Sequence, residues 1–173
     1  MKKNIFYLIL LLFFTFIFSV FYIGLDKPNF YTPKQVKNKS FEEFTSTELF
    51  SNEQFNSKDI IENNKFTLVN IWSSWCVPCR LEHSVLMDLN GKTNLNVVGL
   101  NYKDKKNNAI KFLNELGNPF SKILTDPDGI ISISLGAYGV PETFLLNSKS
   151  KIIRKYIGPL TDDNILEIIK IIK

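Results

Sequence analysis

A layered α/β domain with a central mixed β-sheet flanked by helices, preceded by one N-terminal transmembrane helix, is the architecture this sequence predicts. Three observations carry it. Residues 5–23 are uncharged and mostly apolar. Beyond residue 39, short apolar runs of strand character alternate with segments whose apolar residues stand three and four apart, the pattern of layered α/β domains. Between the first clear strand and the first clear helix lie the only two cysteines of the 173 residues, in Trp75-Cys76-Val77-Pro78-Cys79-Arg80.

At about 1.5 Å per residue, segment 5–23 spans roughly 28 Å as a helix, close to the hydrocarbon thickness of a bilayer. Lys2 and Lys3 precede it and favour a cytoplasmic N-terminus. A cleaved signal is usually shorter and ends in small residues, whereas this segment ends Phe21-Tyr22-Ile23-Gly24-Leu25. Residues 1–25 are therefore expected to be a retained, single-pass anchor. Residues 26–38, with Pro28, Pro33 and several lysines, read as a polar tether, and residues 39–173 as one domain. That length suffices for a real core.

Within the domain, residues 67–72 form a buried-strand run. Helical spacing follows over 78–90, with Leu81, Val85, Leu86 and Leu89 apolar and Asn90-Gly91 as its stop. A second strand is expected at 96–101 and a second helix at 108–116, closed by Gly117. A short strand at 122–125 leads into the turn Asp126-Pro127-Asp128-Gly129, and residues 130–135 favour a short helix. Segments 143–146 and 151–156 flank a turn and read as a hairpin. A terminal helix covers 163–172, capped by Thr161 or Asp162.

The net charge of +4 comes from scattered lysines. The densest stretch, residues 103–106, is interrupted by Asp104, so nucleic-acid binding is not expected.

Cys-x-x-Cys between a strand and a helix reads as a redox pair. The thiolate is the nucleophile of thiol–disulfide exchange, and a helix start stabilises it with orphan N–H groups and the macrodipole. A purely structural staple is the alternative, but so short a loop removes little unfolded-state entropy. Zinc takes four ligands, and only His83 and Met87 add soft donors nearby, so neither metal nor cofactor is expected.

The strand, the Trp-Cys-x-x-Cys segment and its helix resemble the thioredoxin fold, and Gly139-Val140-Pro141-Glu142-Thr143 resembles its cis-proline segment. Arg80-Leu81-Glu82-His83, Gly99-Leu100-Asn101-Tyr102-Lys103-Asp104, Leu116-Gly117-Asn118-Pro119 and the run from Gly136 to Leu145 are similar to the membrane-tethered thiol–disulfide oxidoreductases of cytochrome c maturation, the CcmG/DsbE type. The resemblance spans about residue 39 to the C-terminus. It departs at Asn38-Lys39-Ser40-Phe41, which lacks the prolines usual at the domain entry.

The resemblance implies a protein-disulfide reductase on the periplasmic side of a bacterial-type inner membrane. Its substrate would be the Cys-x-x-Cys-His haem site of apocytochrome c, reached directly or through a haem-ligation thiol protein. A membrane electron carrier would re-reduce the pair. Cys76 would be the exposed attacking thiolate and Cys79 the buried resolving thiol. Pro141 is expected cis, which would present the Val140 backbone to an extended substrate. Trp75 belongs to the rim of the disulfide or is a partly buried structural aromatic.

Asn70 stands where related sequences often carry Asp. Glu82, three residues after Cys79, can point back along the same helix side and serve as acid/base, or be a solvated helix charge. Glu142 either lends the groove negative charge for substrate selection or is a turn carboxylate. His83 reads as an exposed helix residue, and Tyr102 and Tyr138 as groove lining or packing. General disulfide reduction or oxidation is the nearest alternative. A thiol peroxidase would need Pro-x-x-x-Thr-x-x-Cys, whose positions here are Val69 and Ser73. Copper binding by Cys76, Cys79 and His83 is the remaining alternative.

Overall fold

The computed structural model describes residues 2–25, 39–93 and 95–173, which fall into two compact units. The first contains one helix, α1 (Lys2–Leu25). Its stretch Lys3–Gly24 is long and apolar enough to cross a membrane. The expected tether, 26–38, lies outside the described residues.

The second unit opens with two short antiparallel strands, β1 (Thr45–Thr47) and β2 (Gln54–Asn56), followed by α2 (Ser57–Glu62). The Asn56 side chain caps α2 by accepting the Lys58 N–H at 2.8 Å. The sequence pattern does not reveal these three elements, because strands of three residues are too short to display a period of two. Their place comes from long-range bonds: Leu49 N–H donates to the Ile123 carbonyl at 2.9 Å and Ser46 Oγ to the Thr125 carbonyl at 2.6 Å.

The remaining elements follow the expected order: β3 (Phe66–Trp72), α3 (Val77–Lys92), β4 (Asn96–Tyr102), α4 (Lys106–Leu116), β5 (Lys122–Asp126), α5 (Ile130–Ser134), β6 (Glu142–Asn147), β7 (Ile152–Ile157) and α6 (Asp162–Ile172). Helix α3 runs two residues past the expected stop at Asn90. A glycine inside a helix costs only about 1 kcal/mol, so Gly91 does not end it. Between the two expected candidates, Thr161 caps α6: its Oγ1 accepts the Asn164 N–H while Asn164 Oδ1 accepts the Thr161 N–H.

The five-stranded sheet has the order β5-β4-β3-β6-β7. Strands β3, β4 and β5 are parallel, and β6 and β7 join antiparallel, so the sheet is mixed as expected. Central strand β3 is buried on both faces and alternates between two cores. Leu68 and Trp72 pack with Leu86, Leu89, Phe112 and Ile168 on one side. Val69 and Ile71 pack with Phe41, Val98, Leu124 and Phe144 on the other. Asn70 shares the parity of Leu68 and Trp72 and so faces the core that contains the residues of α3. Glu142 shares the parity of Phe144 and faces the opposite core.

This topology gathers the loops. Parallel β3, β4 and β5 end at one edge of the sheet, and antiparallel β6 begins there, with Ile71 opposite Glu142. The loops after Trp72, Tyr102 and Asp126 and the loop before Glu142 therefore share one end of the domain.

Candidate active site

The two cysteines stand at the start of α3. Cys76 is the N-cap in extended conformation, with φ −85° and ψ 109°, and Pro78 lies in the first turn, where its missing N–H costs nothing. Cys76 Sγ accepts the Cys79 N–H at 3.1 Å. An orphan donor of the helix start thus points at this sulfur. Among the described residues no N–H donates to Cys79 Sγ. The pair is disulfide-bonded, with Cα atoms 5.3 Å apart. Cys76 is not the exposed residue expected: it is 4% exposed against 2% for Cys79. Its neighbours supply the surface instead, Trp75 being 57% and Val77 69% exposed.

The loop carrying Trp75 is braced by the loop after β4. Asp104 accepts hydrogen bonds from Ser74 N–H at 2.6 Å, Ser74 Oγ at 2.8 Å, Lys105 N–H at 2.8 Å and Asn101 Nδ2 at 3.1 Å. Ser73 Oγ donates to the Tyr102 carbonyl at 2.8 Å. Trp75 Nε1 donates to the Lys103 carbonyl at 3.0 Å, which ties its exposed ring to the loop after β4. Asp104 thereby sets the loop ahead of the cysteines, a role its place in the sequence does not disclose. An acidic residue just beyond a strand end, facing Ser73-Ser74 thirty positions away, gives no local signal.

One turn after Cys79 on α3, Glu82 is 2% exposed, which removes the solvated-charge reading. Its Oε1 accepts from Asn70 Nδ2 at 2.9 Å and its Oε2 from the Leu160 N–H at 2.7 Å. Burial pushes its carboxyl above the ordinary range, and the two hydrogen bonds offset part of that shift. Asn70 Nδ2 also donates to Thr143 Oγ1 at 3.0 Å, which ties β3, α3 and β6 together. Asn70 Oδ1 is buried without a hydrogen-bond partner.

His83 corrects an expectation. It is 3% exposed, not a surface residue. Its ring stands edge-on to Phe112 at 5.0 Å and to Phe120 at 6.3 Å, and Nε2 lies 2.9 Å from the Gly117 carbonyl. A carbonyl accepts only, so Nε2 carries the proton. Burial lowers the pKa of the ring below its ordinary value. A histidine held this way is a packed, neutral side chain.

The loop before β6 lies at the same end of the domain as the cysteines. The Val140–Pro141 bond is cis, as expected. Among the described residues none hydrogen-bonds to the Val140 backbone. Glu142 corrects a second expectation: it is 1% exposed and cannot charge the groove surface. Its Oε1 accepts from Tyr138 N–H at 2.5 Å and Gly139 N–H at 3.1 Å. Lys155 Nζ lies 2.8 Å from Oε2 as an ion pair, off the hydrogen-bond direction. Of the two tyrosines, Tyr138 is exposed at this loop and Tyr102 is half-buried. Among the described residues no cluster of His, Cys, Asp and Glu is arranged to hold a metal.

A protein-family model described as Redoxin matches residues 36–169. The thiol:disulfide interchange protein CycY of Rhizobium leguminosarum is 46% identical over 109 residues, covering 63% of this chain and 59% of that protein. The thiol:disulfide interchange protein DsbE of Escherichia coli is 43% identical over 107 residues, covering 62% of this chain and 57% of that protein. The matches thus span less than two thirds of either relative. The protein named DsbE-2 of Pasteurella multocida is 33% identical over 162 residues, covering 94% of this chain and 85% of that protein. Among solved structures, a DsbE-type protein of Chlorobium tepidum superposes with a TM-score of 0.68 at 23% identity, covering 79% of this chain and 95% of that one. The fold is thioredoxin-like.

Proposed function

The chain belongs to the Redoxin family, and on that premise we propose that it is a thiol–disulfide oxidoreductase, anchored by α1 and acting as a reductant in cytochrome c maturation. The observation that carries the reading is the Cys76–Cys79 pair at a helix N-terminus, sharing one sheet edge with the Val140–Pro141 loop. Its relatives are named for thiol:disulfide interchange. The four motif segments resembling the CcmG/DsbE type support the narrower role.

The reduced Cys76 thiolate attacks one sulfur of a substrate disulfide, whose other sulfur leaves as a thiolate. Cys79 then gives up its proton and attacks Cys76 Sγ, which releases the second substrate thiolate. Two electrons pass to the substrate; its two thiolates take up two protons, one released by Cys79 by way of Glu82 and one from water, and the protein is left as the Cys76–Cys79 disulfide. Glu82, with its raised pKa, takes the Cys79 proton. A protonated Glu82 has an acceptor at hand, because turning the Asn70 amide over brings the unpartnered Oδ1 to the carboxyl. Val140 pairs with the substrate backbone, with Trp75 on the rim. The substrate is apocytochrome c at its Cys-x-x-Cys-His site or a haem-ligation thiol protein, and a membrane electron carrier restores the dithiol. Residues 1–25 hold the domain on the periplasmic side of the inner membrane, and residues 39–173 do the chemistry.

Thiol trapping in fractionated cells tests this. The expected result is a reduced Cys76–Cys79 pair in membranes washed with high salt, turning oxidised when the membrane carrier is removed. A steadily oxidised pair would make the protein a disulfide-forming oxidase. A soluble mature chain starting near residue 26 would remove the anchor.

A further inference from the structure

The loop that presents Val140 is held by a buried charge pair outside the cysteine chemistry. Register places Lys155 of β7 opposite Phe144 of β6, and Glu142 lies two residues before Phe144 on the same face. The side chains of Lys155 and Glu142 are 6% and 1% exposed. Lys155 Nζ, besides its contact with Glu142, donates to the Gly136 carbonyl at 2.7 Å. It also stands over the Tyr138 ring at 4.4 Å and the Phe144 ring at 5.3 Å. Glu142 in turn accepts the Tyr138 and Gly139 N–H groups. The two charges thus grip residues 136, 138 and 139, the segment leading into Val140.

We propose that Lys155 is a positioning residue for substrate binding: paired with Glu142, it clamps the 136–139 backbone so that Val140 is presented to an extended polypeptide. This rests on the oxidoreductase reading for its consequence, though not for its geometry. A buried pair of this kind contributes little net stability compared with apolar residues, yet losing one partner leaves the other charge buried and uncompensated. Its yield is placement of the loop. Lys155 touches neither cysteine, so chemistry at Cys76 on a small reagent does not depend on it.

Two readouts test the clamp on Lys155→Met and Lys155→Arg in the full chain. Hydrogen exchange of the Tyr138 and Gly139 amides should accelerate about tenfold or more in Lys155→Met and return towards wild type in Lys155→Arg. KM for an oxidised Cys-x-x-Cys-His peptide should rise about tenfold in Lys155→Met, with kcat and the rate of reaction with a small aromatic disulfide held near wild type. If Lys155→Met does not fold, the uncharged pair Glu142→Gln/Lys155→Met replaces it, with the same expected rise in KM. Unchanged amide exchange with unchanged KM in either folded variant overturns the clamp. So does an equal fall in peptide and small-disulfide rates. If the wild-type dithiol fails to reduce the peptide, the oxidoreductase reading falls, while amide exchange still decides the clamp. If no Met variant folds, exchange in the wild-type protein decides it: Tyr138 and Gly139 amides as labile as open loop backbone overturn it, and protected ones support it.

Discussion

Glu82 and His83 are adjacent and buried, and burial shifts their pKa values in opposite directions. The folded-state pKa of Glu82 is raised above 4.5 by desolvation. The stability it contributes is therefore full below that pH and is lost as pH rises through the folded-state value. Glu82→Gln should gain on the wild type as pH increases, although Gln has one acceptor for two N–H donors and starts about 1–3 kcal/mol lower. In exchange chemistry the same variant should slow release of the mixed disulfide about a hundredfold, since an amide takes no proton. Stopped-flow decay of a trapped mixed disulfide measures this, and wild-type rates would reduce Glu82 to a structural residue.

His83 behaves conversely. Its folded-state pKa is depressed below 6.5, so the stability present above that pH is lost as pH falls through the folded-state value. His83→Gln keeps an N–H for the Gly117 carbonyl and removes the titration. Urea unfolding between about pH 7.5 and 5.5 should show the wild type losing stability relative to this variant. A difference independent of pH would contradict the assignment. The sequence cannot foretell this burial, because the covering rings, Phe112 and Phe120, come from α4 and the segment before β5. Glu142 hides its fate for the same reason: its partner Lys155 is on another strand.

At the scale of elements, one carboxylate joins two loops. Asp104, just after β4, gathers four donors from Ser74, Asn101 and Lys105 and so sets the loop between β3 and α3. Asp104→Ala should cost about 2 kcal/mol, since those donors lose their acceptor. It should also slow alkylation of reduced Cys76 by loosening the turn that leads into α3. Thermal unfolding and iodoacetamide kinetics check both. An unchanged alkylation rate would separate Asp104 from the site. The long elements β3, α3, β4, α4 and α6 are legible in sequence because each shows its own period or cap. Strands β1 and β2 carry no such signal: β2 pairs with β1, and β1 is bonded to β5 through Ser46.

At the scale of the whole molecule, sheet order does what no single motif can. It brings Cys76, Pro141, Asp104 and the start of α5 to one end of the domain from positions scattered along the chain. The cysteine pair and the layered class are readable from residues alone, and the cis-proline segment from its family resemblance; the bracing by Asp104 and the clamp by Lys155 need the topology. The central claim is a division of labour, Cys76 attacking and Cys79 resolving. Exposure separates the two residues by only 4% against 2%, so this division rests on the helix-start hydrogen bond received by Cys76. The most direct measurement is a non-reducing gel of cells expressing Cys76→Ser or Cys79→Ser, with identification of cross-linked partners. Cys79→Ser should accumulate a mixed disulfide with an apocytochrome or haem-ligation thiol protein, and Cys76→Ser should accumulate none. Trapping by Cys76→Ser and not by Cys79→Ser would reverse the roles and contradict the account.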